Sequence, residues 1–390
     1  MQALLNNSGL YHIAGVHDLW INIPGVILIS FIITYVLIPP IIRISKKHNF
    51  VDIPGQRKAH KVPVPTLGGA GIFMGFFIAS LPWTIPGINA QILFITASLL
   101  ILFFLGIIDD LKELSASRKL LFQIITAFLI AFSGIRIESL SGFLGIYEIP
   151  VVAQYILTII LIAGVTNAFN LIDGIDGLAG GIALINAVFM GVILTLSGYY
   201  IFGMIAFALA GSLIAFLRYN FYPAKIFMGD TGSLVIGFTM SLLGIFIIQH
   251  ATAISSAINI SGNIMIVISG ILLIPVYDTI RVAIVRIQHK KSPFRPDKNH
   301  IHHLLTETGY NHKKAAIILY VSNLSIIAAG FLLKDLNPNF SIPVLFVMAV
   351  LLTEMLNIRR IILNKIKARF LGNKADDIVS ENRFLQKNLK

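Results

Sequence analysis

Five aspartates sit where a carboxylate is expensive, at the ends of long apolar runs. Asp109 and Asp110 are adjacent in Gly-Ile-Ile-Asp-Asp. Asp173 and Asp176 lie in the run Asn167–Gly177, Asn-Ala-Phe-Asn-Leu-Ile-Asp-Gly-Ile-Asp-Gly. Asp230 lies in Phe227–Ser233, Phe-Met-Gly-Asp-Thr-Gly-Ser. Charged groups in or beside a bilayer need a reason to be there. Hard oxygen ligands in a chain with no cysteine point to Mg²⁺, with Mn²⁺ as a substitute, rather than to zinc. Mg²⁺ is typically held by one or two carboxylates, water and substrate phosphates. Five aspartates exceed that need, so some must orient groups, accept protons or hydrogen-bond a ligand. Singly, each also reads as an interface residue or a helix cap, and Asp176 and Asp230 have the local pattern of caps.

Glycines surround these carboxylates: Gly174, Gly177, Gly180 and Gly181 near one pair, Gly229 and Gly232 around Asp230. Glycine lets backbone approach a ligand, and free amides at a helix start favour phosphate. Small-residue packing between spans explains the same glycines equally well. A basic component completes the set. Residues 290–303 bring Arg295 and Lys298 next to His300, His302 and His303, and the loop before Pro63 carries Arg57, Lys58, His60 and Lys61. His-x-His-His is compatible with zinc, but its hard acidic neighbours favour contacts to phosphate. The Arg57–Lys61 cluster also suits a topogenic loop touching anionic lipid. Asp278 and Arg281, just after Pro275, read as a local ion pair near a bend. His250 and Glu354 read as interface or packing residues.

The elements that must hold these groups are membrane helices. Of the 390 residues 56% are hydrophobic and only 12% charged, against about 25% charged in a soluble domain. That excludes a soluble globular enzyme, a coiled coil and a disordered chain. The fold expected is an all-α polytopic membrane protein with about eleven spans, over 24–44, 67–88, 91–108, 118–135, 150–169, 175–197, 199–217, 232–250, 263–287, 314–333 and 341–363. Residues 1–363 form one integral-membrane domain and 364–390 a cytoplasmic tail. Residues 1–22 lack a basic stretch ahead of an apolar one, so no cleavable signal peptide is expected. Counted loop by loop, 28 of the 30 lysines and arginines fall on one face, leaving Arg136 and Lys334 on the other. The N-terminus is therefore expected outside, the C-terminus in the cytoplasm, and all five aspartates at the inner face. The net charge of +12 is topological and not a nucleic-acid signal. Residues 136–150 alternate around Ser141-Gly142 and predict a short outer β-hairpin.

An acidic metal-binding cluster, glycine-rich turns and a His/Arg/Lys clamp at a bilayer surface suit phosphoryl transfer between a water-soluble donor and a lipid. Asp109-Asp110, Asn167–Gly177, Phe227–Ser233 and His300–His303, in this order and spacing, resemble the polyprenyl-phosphate N-acetylhexosamine-1-phosphate transferases. The resemblance runs from about Arg43 to His303. The stretch Ser292–His303 and the Arg57–Gly69 loop look like the branch that uses UDP-N-acetylglucosamine, rather than the muramoyl-pentapeptide branch.

The resemblance implies transfer of N-acetylhexosamine-1-phosphate from a UDP-sugar to undecaprenyl phosphate, with release of UMP, in a bacterial inner membrane. It implies Asp109, Asp110 and Lys119 as catalytic residues, and Asp230 with Asn170 as the magnesium site. Substrate contacts would come from Asp173, Asp176, Asn220, Phe227 (stacking on uracil), Gly229, Lys61, Arg295, His300, His302 and His303. Membrane lipids are expected neighbours, and a homodimer is left open. The rival readings are a transporter with an inner-face acidic ion site, a CDP-alcohol phosphotransferase and an inactive scaffold. The first expects charges at mid-span and internal repeats, neither of which is evident. The second lacks its Asp-Gly-x-x-Ala-Arg signature, and the intact aspartate set argues against the third.

Overall fold

A computed structural model describes residues 19–52, 63–258, 262–290 and 300–355, with 358, 359 and 362. Lys61 and Arg295, the rest of the Arg57–Lys61 cluster, Lys298 and the tail from 364 lie outside the described residues. Almost everything described is helix. The helices are α1 (Leu19–Lys47), α2 (Gly68–Thr84), α3 (Ala90–Lys112), α4 (Ala116–Phe132), α5 (Val151–Ile172), α6 (Leu178–Leu196) and α7 (Tyr200–Asn220). They continue with α8 (Gly229–Gln249), α9 (Ala251–Ala257), α10 (Ile264–Gln288), α11 (Ile301–Glu307) and α12 (His312–Leu333). The last is α13, Pro338–Met355. The only strands among the described residues are β1 (Val51–Asp52) and β2 (Val64–Pro65), paired antiparallel.

Each of the eleven apolar runs coincides with a helix. Nine helices among the described residues are long and apolar enough to cross a membrane. The other two, α2 and α4, have 17 residues each. The nearly continuous stretch between α6 and α7 is broken at Gly198, whose φ of +85° ends one helix before Tyr200 begins the next. Asparagine caps start three helices: Asn89 accepts from the Ile92 amide, Asn263 from Met265 and Asn311 from Lys314.

The bundle has a clear centre. In α8, 94% of the most apolar stretch is buried, and in α7 89%, against 22% in α1 and in α13. Helices α2, α3, α5, α6 and α10 pack around α8. Phe246 of α8 stacks on Phe202 of α7 with ring centroids 3.7 Å apart. A helix apolar on every side belongs inside, and this one carries Asp230 in its first turn.

The expected outer hairpin is not formed. Residues 136–150 contain no strand and include a 3₁₀ turn at Phe143–Gly145. Two cross-loop bonds exist, Ile149 N–H to the Glu138 carbonyl at 3.0 Å and Gly142 N–H to Ile146 at 3.1 Å. Turn bonds within the loop take the Phe143, Gly145 and Ile146 amides, and side chains of neighbouring elements take other backbone groups. Ile137 N–H donates to Thr158 Oγ1 at 3.0 Å, Leu144 N–H to Asn339 Oδ1 at 2.6 Å, and Asn263 Nδ2 donates to the Ser141 carbonyl at 2.9 Å. Positive φ at Ser141 and Leu144 also departs from a strand. Alternation signals a strand only where a second strand is free to pair, and here the helices satisfy the loop.

Candidate active site

The C-terminal end of α3 meets the N-terminal ends of α4 and α8, and this junction gathers the acidic residues. Asp110 faces α8. Its Oδ1 accepts the Asp230 amide at 2.7 Å, and its Oδ2 accepts the Thr231 amide at 3.1 Å and the Thr231 hydroxyl at 2.6 Å. These are among the amides that a helix start leaves unpaired, so Asp110 caps α8 from another helix. The approach depends on glycine. Gly229 has φ of +70°, and a Cβ there would lie 2.6 Å from both Asp110 oxygens. A Cβ at Gly106 would overlap the Thr231 backbone.

Asp109, one position earlier, faces Lys119. Its Oδ1 accepts the Leu114 amide at 2.5 Å and its Oδ2 lies 2.5 Å from Lys119 Nζ. The same ammonium lies 3.0 Å from Asp230 Oδ2, and Asn170 Nδ2 donates to Asp230 Oδ1 and, at 2.9 Å, to Ser233 Oγ. The side chains of Lys119 and Asp230 are 23% and 27% exposed, that of Asp109 1%. Lys119 and Asp230 therefore face the mouth, and Asp109 stands behind them.

The turn between α5 and α6 forms a second wall. Asp173 is half-buried; burial, and then the negative charge of Asp230, Asp110 and Asp176, push its carboxyl up to about 7. Asp176 and Asn220 are buried and bonded largely to backbone. Asp176 Oδ2 accepts the Ala224 amide at 3.0 Å, with His312 Nδ1 3.1 Å from its Oδ1. Asn220 accepts the Gly177 amide at 2.9 Å and donates to the Ile226 carbonyl at 2.8 Å, and Tyr320 donates to the Gly177 carbonyl at 2.5 Å. Phe227 is half-buried; its amide donates to Pro65 and its carbonyl accepts from Gly68, which joins β2 and α2 to the entry of α8.

The histidine turn is the third wall. His300 Nδ1 lies 2.9 Å from Asp278 Oδ2, the His300 and His302 rings stack 5.7 Å apart, and His302 and His303 lie 4.3 Å apart. His302 is buried, which pushes its imidazole down to about 3 and keeps it uncharged at neutral pH. His303 is half-buried. Sequence reasoning missed His312 and Tyr320, which carry no local spacing signal, and Thr231 and Ser233, which lie inside a quoted motif. Asp278 does contact Arg281, at 3.5 Å, but His300 and the Ile301 amide are closer.

Asp230 and Ser233 offer oxygen, and Asn170, which turns its Nδ2 toward both, carries a carboxamide oxygen besides; oxygen is the donor a hard cation takes. The junction already draws one cation from the chain itself, the Lys119 ammonium between Asp109 and Asp230. These residues fit Mg²⁺ or Mn²⁺. Among the described residues no group of three or more His, Asp or Glu is placed as a metal cage, so water or substrate oxygens would complete the shell.

Residues 92–248 match the profile of Glycosyl transferase family 4. A relative in Bacillus subtilis, named a probable undecaprenyl-phosphate N-acetylglucosaminyl 1-phosphate transferase, is 33% identical over 87% of this chain and 94% of its own. The decaprenyl-phosphate N-acetylglucosaminephosphotransferase of Mycobacterium tuberculosis is 30% identical over 78% of this chain and 80% of its own. The undecaprenyl-phosphate alpha-N-acetylglucosaminyl 1-phosphate transferase of Yersinia pestis is 30% identical over 80% and 84%. The chain belongs to glycosyl transferase family 4. The family 4 match covers the acidic junction and the α5–α6 turn, from Asp109 to Asp230; the histidine turn lies beyond it.

Proposed function

We propose that this family 4 member transfers N-acetylglucosamine-1-phosphate from UDP-N-acetylglucosamine to undecaprenyl phosphate, releasing UMP, at the cytoplasmic face of a bacterial inner membrane. The observation that carries the reading is the Lys119 ammonium held between Asp109 and Asp230 at one end of the bundle, beside the aspartate turn and the histidines. The names of the relatives supply the substrate class.

An oxygen of the lipid phosphate attacks the sugar-bearing phosphorus of the donor. The bond from that phosphorus to the bridging oxygen breaks, and UMP leaves with that oxygen. Lys119 receives the lipid phosphate, and Asp109 holds Lys119 in place. Asp110 fixes the first turn of α8 so that Asp230 faces the mouth. Asp230 and Asn170 hold Mg²⁺, which when bound offsets the charge of the donor diphosphate. Asp173, Phe227 and His303 line the donor side, with His302 buried behind them. In this reading Asp109 is not the nucleophile, which is supported by its Oδ1 accepting the Leu114 amide, its Oδ2 lying against Lys119 and its side chain being 1% exposed. The lipid phosphate, with a second pKa of about 6, is already largely a dianion at neutral pH.

The test is UMP release by purified protein with undecaprenyl phosphate and a panel of UDP-sugars. UDP-N-acetylglucosamine is expected to be the preferred donor. Preference for UDP-N-acetylmuramoyl-pentapeptide would move the chain to the other branch, and no release with any donor would overturn the reading.

A further inference from the structure

Asp278 is a carboxylate inside α10 with only 1% of its surface exposed, and no part of the transfer reaction as described uses it. All of its bonded partners but Arg281 lie on the histidine turn. Oδ2 is 2.9 Å from His300 Nδ1, and Oδ1 accepts the amide of Ile301, the first residue of α11, at 3.0 Å. His300 occupies the cap position of α11, but its own side chain makes no cap bond. Asp278 therefore supplies from α10 the cap that the turn lacks.

A neutral side chain would cap Ile301 as well, without the penalty of a buried charge. What the carboxylate adds is a fixed imidazole. It engages Nδ1 of His300 and leaves Nε2 as the remaining polar atom of the ring. The contact continues inward. His300 stacks on His302 with ring planes 8° apart, and His302 lies so close to Gly174 that a Cβ there would clash with the Nε2 edge of its ring. Gly174 follows Asp173 in the aspartate turn. Asp278, His300, His302 and Gly174 thus form one packed line from a membrane helix to the donor wall.

We infer that Asp278 is a positioning residue for the donor side of the site, setting His300 and the start of α11, and through them the placement of His302 and His303 against the Asp173–Gly177 turn. The inference rests on the reading that this wall meets the UDP-sugar.

UMP release is measured in detergent at varied UDP-N-acetylglucosamine and, separately, at varied undecaprenyl phosphate, for wild type, Asp278→Asn, Asp278→Ala, His300→Ala and the Asp278→Ala/His300→Ala pair. In Asp278→Asn the KM for the donor is expected to rise about tenfold while that for the lipid changes less than about twofold, with a larger donor effect in Asp278→Ala. The double variant is expected to be no worse than His300→Ala alone, because the two residues act as a unit. Where Asp278→Ala does not elute as a folded protein, Asp278→Asn decides in the same terms. An unchanged donor KM in a folded variant, equal rises in both KM values, or additive losses would overturn the inference. Wild-type protein that releases no UMP would instead count against the functional reading, so the two failures are separable.

Discussion

Asp109 and Asp110 are neighbours in sequence and do different work. One holds a lysine and the other holds a helix. Asp110→Asn places an amide where three donors converge, so at least one donor faces another. Loss of a helix cap costs about 0.5–2 kcal/mol. The expected result is faster amide exchange at Asp230 and Thr231 together with severely reduced turnover. Asp109→Asn is also expected to be severely impaired, but with exchange at α8 unchanged, because its partners are Leu114 and Lys119. Matching exchange patterns in the two variants would erase this distinction. Enzyme mixed with UDP-N-acetylglucosamine alone is expected to release no stoichiometric burst of UMP. A burst that vanishes in Asp109→Asn would establish a covalent sugar-phosphate enzyme. Asp230→Asn is expected to lower turnover at least about 100-fold with at most weak rescue by added Mg²⁺, because a neutral amide weakens the hold on the cation. Near-normal turnover in that variant would move the metal elsewhere.

His302 supports a prediction about pH. Its folded pKa, about 3, lies below the ordinary value of 6.5, so between those values the unfolded chain binds a proton that the folded chain refuses. The stability held by neutral His302 is complete above about pH 6.5 and declines as pH falls toward 3. Thermal unfolding in detergent is expected to show a shallower acid slope in His302→Asn than in wild type. Identical slopes would mean that folding does not lower the pKa of His302.

At the scale of elements, the apolar runs marked the eleven long helices to within a few residues at most ends, because long runs with a breaker at each end leave a chain few options, and they missed the seven-residue helices α9 and α11. The 136–150 loop was misread because its partners include the distant side chains of Thr158, Asn263 and Asn339, which no local pattern reveals. The acidic site was legible as a set, since carboxylates beside a bilayer are rare enough to be informative. Their division of labour was not. That Asp176 and Asn220 bind mainly backbone, and that Asp278 turns toward His300 more than Arg281, depends on residues far apart in sequence. The α3–α8 junction carries its own prediction. Gly106→Ala would push a methyl into the Thr231 backbone, and overpacking of this kind costs about 1–3 kcal/mol. A lowered unfolding temperature with loss of turnover is expected; unchanged values for both would mean that the helices part easily.

For the whole molecule, the bias of lysine and arginine to one face predicts its direction across the membrane. The chain contains no cysteine, so single introduced thiols report without background. Leu144, 70% exposed in the loop before α5, and Lys225, exposed in the turn before α8, bracket the bundle. An impermeant thiol reagent is expected to label Leu144→Cys in intact cells and Lys225→Cys only after permeabilisation. The reverse pattern would invert the topology and place the acidic junction outside.

The near-complete enclosure of α8 constrains the order of biosynthesis. Of the helices packed around it, α2, α3, α5 and α6 leave the ribosome before α8 and α10 follows, so most of the groove that receives α8 is synthesised before α8 is. A helix with Asp230 in its first turn then passes from the insertion machinery into a slot already lined by protein, and its polar tip meets Asp110 and Lys119 instead of acyl chains. Nascent chains that stop short of Gly229 would hold that slot open to lipid, with Asp110 lacking the α8 amides it caps and Lys119 lacking Asp230.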